Sequence, residues 1–244
     1  MIKKKIYTFN IYPQSVDFKL NISISSLTDL LMNVARAHAD ENDFGMQYLH
    51  TRNYSWVLLR FAVEMQTLPR QYETIHIETW IEEISKLSTT RNFVIRNNEN
   101  DIIGYGITNW VMIDQTNRRP VDLSHLGNMS DFATGEKVPI DKPIKIPGAQ
   151  GIKTDTIRAR YSHIDFNQHV NTMRYLEWIS NVFPLEHYIN NSLRRFEINF
   201  MSELVFDDEV EIYKQEINAN TYLIELKNQG QPACRAKICW NNTL

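Results

Sequence analysis

RFAVEMQTLPRQYETIHI, residues 60–77, returns further along the chain as RFEINFMSELVFDDEVEI, residues 195–212. At a constant offset of 135 residues, Arg60 meets Arg195, Phe61 meets Phe196, Val63 meets Ile198, Thr67 meets Ser202, Ile75 meets Val210 and Ile77 meets Ile212. Both copies alternate apolar and polar residues on either side of a turn-like centre, which is the period of two successive half-buried strands. Two related units on one chain are therefore expected.

The surroundings of the two copies agree with duplication. GYGITNWVM (104–112) resembles CRAKICW (234–240), each a strand with a tryptophan near its end. A helical stretch precedes the strands in each half. SLTDLLMNVARAHADE (26–41) repeats Leu27, Leu30, Leu31, Val34 and Ala35 at helical spacing, and NTMRYLEWISNVF (171–183) repeats Met173, Leu176, Ile179 and Val182. Between the halves, KVPIDKPIKIPGAQG (137–151) concentrates three of the eight prolines without an apolar period, the mark of a linker. The expected fold class is α+β: two units, each an antiparallel sheet wrapped around a central helix, forming a covalent pseudo-dimer. The expected divisions are 1–132, a linker at 133–152, and 153–244.

Composition narrows the function. The chain has 244 residues and a net charge of −3, so it can bury a large core but has no basic excess of the kind that tracks phosphate backbones. Nucleic acid is not an expected partner. MIKKKIYTFNIY at the N-terminus alternates instead of entering an apolar run, so neither a signal peptide nor a membrane span is expected. Cys234 and Cys239 are the two cysteines. Their odd separation on a strand points them to opposite faces, which argues against a disulfide or a metal site and suits a reducing, cytoplasmic setting. No metal and no cofactor is expected.

The chemistry is expected in DFNQHVN, residues 165–171. Read as an extended segment, it puts Asp165, Asn167 and His169 on one face and Phe166, Gln168 and Val170 on the other. It runs into the second helix with Asn171 or Thr172 as N-cap, so the polar set stands beside a helix N-terminus that favours a developing oxyanion. The duplication sharpens the reading. At offset 135 these three residues meet Leu30, Met32 and Val34; matching the helix starts instead gives Ile22, Ile24 and Ser26, and neither register recreates the polar set. Glu203 meets Leu68, and an acid in the middle of a strand pair is costly unless paired or used. One half is expected to keep the chemistry and the other an apolar lining.

These residues resemble the acyl-ACP thioesterases of plastids and bacteria, a family built as two hot-dog domains in tandem. The family's D-x-N-x-H-V-N motif reads Asp165-Phe166-Asn167-Gln168-His169-Val170-Asn171, and Glu203 matches the glutamate that completes the site. Trp56-Val57, Arg60, ETW (78–80), RNFVIRN (91–97) and WVMIDQTNRR (110–119) resemble the family's first domain. Many plastid members carry a cysteine after the glutamate; this chain has Leu204. The resemblance implies hydrolysis of fatty acyl-ACP to free fatty acid and holo-ACP. It implies an N-terminal domain that binds the acyl chain, with Leu31, Met32 and Val34 as tunnel lining, and a C-terminal domain that does chemistry. Glu203 is the expected general base or water-orienting group and His169 its proton-transfer partner, with the division of labour between the two left open by the sequence; Asn167 is the group that positions water or polarises the carbonyl, and Asp165 an orienting group. The implied partner is acyl carrier protein with its acyl-phosphopantetheine, with Arg158, Arg160, Arg174 and Arg194 available for docking. The working form is a monomer as pseudo-dimer, or a homodimer. Other readings are an acyl-CoA thioesterase, a hot-dog hydratase and a non-catalytic acyl-thioester sensor.

Overall fold

The computed structural model describes residues 1–242 and divides into two compact units, Met1–Pro143 and Ile144–Leu244. In the first unit the elements run β1 (Lys4–Asn10), α1 (Ile24–Asp40), α2 (Met46–His50), β2 (Tyr54–Met65), β3 (Thr74–Ile84), β4 (Ser88–Arg96) and β5 (Ile102–Asp114). In the second they run β6 (Ile152–Arg158), α3 (Thr172–Ser180), α4 (Leu185–Asn190), β7 (Asn191–Phe200), β8 (Glu209–Asn218), β9 (Thr221–Asn228) and β10 (Gln231–Asn242). Strand order in the first unit is β1-β3-β4-β5-β2 and in the second β6-β8-β9-β10-β7, all antiparallel. The two sheets have one topology, and both units are hot-dog domains.

The sheet of the first unit is covered on both faces, because burial in its strands goes beyond simple alternation: β4 is buried at every position from Thr89 to Ile95, the polar Thr89, Thr90, Arg91 and Asn92 included. Ser23 caps α1 by accepting the Ser26 N–H, and Leu27, Leu31, Val34 and Ala35 form a fully or nearly fully buried stripe. Leu31 of α1 lies over β5 at Gly106, where a Cβ would stand 3.5 Å from Leu31 Cδ1 and 3.3 Å from Phe93 Cδ2, so helix and sheet are in close contact there. The stretch expected to be a linker covers sheet surface. Val138 packs with Trp80, Val94 and Ile107 in the first unit, and the Glu136 carbonyl accepts from Trp80 Nε1 and Asn92 Nδ2. In the second unit Ile146 and Ala149 pack on Leu223, while their N–H groups donate to Asn199 Oδ1 and Glu225 Oε2. The prolines suit an extended path that needs few backbone donors. The chain is extended here because it is laid along the sheets, with the unit boundary at residues 143/144.

His38, on α1, is fully buried, and its Nδ1 faces Arg91 Nη1 at 3.1 Å. Burial, reinforced by the Arg91 charge, lowers the His38 pKa to about 4. Its folded pKa lies below its unfolded value near 6.5, so the unfolded chain binds the extra proton first. Stability is complete above about pH 6.5 and declines as pH falls through 4, by roughly 3 kcal/mol in all. Thermal melts of wild type and His38→Gln between pH 4 and 7 check this: the wild-type slope should flatten in the variant.

Candidate active site

Residues 165–168 are not extended. They form a tight turn held by one carboxylate, with Asp165 Oδ1 accepting the N–H of Asn167 at 2.8 Å and of His169 at 3.3 Å. The Asp165 N–H donates to the His169 carbonyl and the Gln168 N–H to the Asp165 carbonyl, which puts Gln168 at φ +67°. The expected two-face alternation therefore gives way to a turn in which a short acid satisfies neighbouring backbone donors. Asp165 is scaffold, Asn167 stands exposed at the tip, and His169 leaves the turn half-buried.

The first unit contains the same turn, in a register missed by both alignments above. Asp17 Oδ1 accepts from the N–H of Lys19 at 2.8 Å and of Asn21 at 3.0 Å, and Leu20 has φ +62°. Val16 bridges Ile22 as Ile164 bridges Val170, and Ser23 donates its N–H to Ser15 as Asn171 does to His163. DFKLNIS thus answers DFNQHVN. The strand register of 135 also holds, because the Ile22 N–H donates to the Pro69 carbonyl and the Val170 N–H to the Leu204 carbonyl. The intervening helical segment is longer in the first unit, so one constant offset cannot align both features. The acid at the head of the turn is common to the halves. What differs is Asn167 for Lys19, His169 for Asn21 and Glu203 for Leu68.

Glu203 lies between β7 and β8 and is not a buried strand residue; its side chain is 43% exposed. A bridge between His169 and Val205 carries the segment alongside the turn, and His169 Nε2 stands 3.4 Å from Glu203 Oε2. That is longer than a charge-assisted hydrogen bond and within the looser range that catalytic pairs show before substrate binds. The carboxylate is thus half-solvated.

Asn171 caps α3, its Oδ1 accepting from the Met173 N–H at 2.8 Å. The Asn171 N–H is itself taken by the His163 carbonyl. Of the N–H groups of residues 171–173 at the start of α3, those of Asn171 and Met173 are therefore occupied, and that of Thr172 has no partner among the described residues. The Asn167 side-chain amide has no hydrogen bond among the described residues either. An open depression runs past Asp165, Asn167 and His169, walled by Tyr161, Phe166, Val205 and Phe206. Tyr161 and Phe166 are 89% and 70% exposed, unusual for aromatic rings, and sequence reading did not single them out. Three of the four arginines considered for docking already face acids: Arg158 with Asp207 and Glu209, Arg160 with Asp207, and Arg174 with Glu177. Their charge is therefore offset locally by carboxylates.

Leu204, next to Glu203, is fully buried. Cys234 and Cys239 are buried and unpaired with each other, and desolvation pushes the Cys234 thiol well above the usual range, the opposite of an activated nucleophile. Among the described residues no group of three or more His, Cys, Asp or Glu can hold a metal, and no helix is long and apolar enough to cross a membrane.

Two hot-dog units, one with an acid–imidazole pair beside a helix N-terminus, make this a tandem hot-dog protein with one elaborated half. The model of the acyl-ACP thioesterase N-terminal domain matches residues 3–125 and that of the C-terminal domain residues 149–242, so the chain belongs to the acyl-ACP thioesterase family. The crystal structure of an acyl-ACP thioesterase from Bacteroides thetaiotaomicron is 36% identical, covers 98% of each chain and superimposes with a TM-score of 0.93. The 12:0-ACP thioesterase from Umbellularia californica, at 19% identity and a TM-score of 0.86 over 98% of each chain, has the same fold. The chloroplastic oleoyl-acyl carrier protein thioesterase of Coriandrum sativum is 24% identical over 250 residues, 91% of this chain and 65% of its own length. The chain thus spans less than two thirds of that plant relative.

Proposed function

We propose that the protein hydrolyses fatty acyl-ACP to free fatty acid and holo-ACP, with chemistry in the second unit and acyl-chain binding in the first. The observation that carries this reading is the 3.4 Å approach of His169 Nε2, on the turn, to Glu203 Oε2, on the segment beside it, where the first unit has Asn21 and Leu68. Family membership and the names of the relatives give the substrate class.

In the proposed reaction Glu203 takes a proton from water as the water oxygen bonds to the thioester carbon. The Asn167 amide donates to the oxyanion, and the unpartnered Thr172 N–H at the start of α3 is a second candidate donor. The carbon–sulfur bond then breaks, and the thiolate takes a proton from the Glu203–His169 pair. A thiol with an ordinary pKa of about 8.5 leaves with little acid assistance, so the pair's main work is on water. Asp165 acts by holding the backbone of Asn167 and His169. The cytoplasm is the proposed setting, supported by the two buried thiols, and a monomer or homodimer the working form. Acyl carrier protein is the proposed partner, without nucleic acid or membrane.

The test is release of free thiol from long-chain acyl-ACP and from the matching acyl-CoA, followed side by side. Faster release from acyl-ACP is expected. Equal or preferential release from acyl-CoA would move the protein to the second reading, and no release from either would sink thioester hydrolysis.

Leu68, in the place of Glu203, is assigned no chemistry. Leu68→Ala is expected to change the order of preference across a series of acyl-ACP chain lengths, or to lower Tm by a few degrees, with turnover retained. Loss of all turnover in a folded Leu68→Ala protein would contradict the division between the halves.

A further inference from the structure

We propose that Tyr175 is a positioning residue for the Glu203–His169 pair, acting through the backbone of Leu204. Tyr175 lies in the first turns of α3, 4% exposed, and its hydroxyl oxygen accepts the Leu204 N–H at 3.2 Å. The Leu204 carbonyl accepts the Val170 N–H at 2.7 Å. The peptide groups on both sides of Leu204 are thereby tied, one to the helix that follows the turn and one to the residue after His169. Glu203 is attached directly to the first of them.

The duplicated unit supplies an internal control. The counterpart of Leu204 is Pro69, which has no N–H, and the counterpart of Tyr175, in the register that matches Asp17 to Asp165, is Leu27, which has no hydroxyl. Leu27 is fully buried, as Leu204 is, and the Ile22 N–H still donates to the Pro69 carbonyl. The fold is therefore built at this place with donor and acceptor both missing. The bond is present in the half that carries a carboxylate next to it. A buried N–H needs a partner, but proline at position 204 would meet that need as it does at position 69. Folding alone thus leaves the tyrosine hydroxyl unexplained; holding a half-exposed carboxylate against an imidazole accounts for it.

This inference rests on the reading of Glu203 and His169 as the reacting pair, and a double-mutant cycle separates the two. Tyr175→Phe and Leu204→Pro each delete the same bond, from opposite ends. On acyl-ACP each is expected to lower kcat about 10-fold with KM within about 2-fold, and the acid limb of the kcat profile should shift because the spacing of a coupled pair has changed. The double variant should be no slower than either single variant, since one bond cannot be lost twice. Should Tyr175→Phe fail to fold, Leu204→Pro carries the test by itself, with Pro69 as precedent for the backbone. Unchanged kcat in a folded single variant, or losses that multiply to about 100-fold in the double, would overturn the proposal. So would an equal fall in kcat and thermal stability with an unmoved pH profile. If Glu203→Gln and His169→Ala keep the wild-type rate, it is the site that fails; if they lose it and Tyr175→Phe does not, the positioning role alone fails.

Discussion

Replacing Glu203 by Gln is expected to lower kcat on acyl-ACP by at least about 10²-fold while leaving the fold intact. Glutamine keeps the size of the side chain and a hydrogen-bonding oxygen but cannot take a proton from water. Because Glu203 is 43% exposed and lies outside the strands, the substitution buries no unsatisfied group and should barely move Tm. KM should stay near its wild-type value, since the carboxylate acts on water and not on the acyl chain. Circular dichroism and a melt alongside the kinetics make the comparison clean. A folded Glu203→Gln enzyme at near-normal rate would remove the base from the mechanism.

Asn167→Ala is expected to cost on the order of 10²-fold in kcat, the usual loss when one donor to a developing oxyanion is removed. The turn should survive, because it is closed by Asp165 through backbone N–H groups and the Asn167 side chain takes no part in it. Asn167→Asp should be worse than Ala, since a second carboxylate would repel the developing charge. Lys19→Ala, at the matching place in the first unit, should leave kcat unchanged. Steady-state rates of the three variants decide the matter: similar rates for Asn167→Ala and Lys19→Ala would mean that the two turns do not differ in chemistry.

Much of this was legible in the sequence because duplication prints a pattern twice. The match of residues 60–77 to 195–212 gave β2–β3 and β7–β8 in equivalent positions, and apolar spacing located α1 and α3 to within a few residues. The turn itself was misread. Alternation of Asp, Asn and His imitates a strand, and nothing in residue type alone reports that Asp165 folds back on its own backbone. The sequence has four Asp-Phe pairs, but only Asp17-Phe18 shares with Asp165-Phe166 a polar and then a β-branched apolar residue at the fifth and sixth places (Asn21-Ile22 against His169-Val170), and a search on that longer pattern separates the shared aspartate from the unshared asparagine and histidine. The helix N-terminus was located, yet its donors could not be counted without the Asn171 cap and the His163 carbonyl. Tyr175 was invisible for a related reason: its bond runs to a backbone group, and a buried tyrosine on a helix reads as packing. The proline-rich stretch looked like idle linker because cover on a second sheet face has no period of its own.

Direct attack by water is the central claim, and intact-protein mass spectrometry of a rapidly quenched single turnover tests it most directly. Leu204 has no nucleophilic atom, and the two thiols are buried. With enzyme in excess over a long-chain acyl-ACP, the mass of the wild-type chain is predicted to stay unmodified at every time point while holo-ACP and free fatty acid accumulate together. A transient gain of one acyl mass that rises and decays with turnover would contradict the account, and the labelled residue would be the nucleophile that Glu203 and His169 serve.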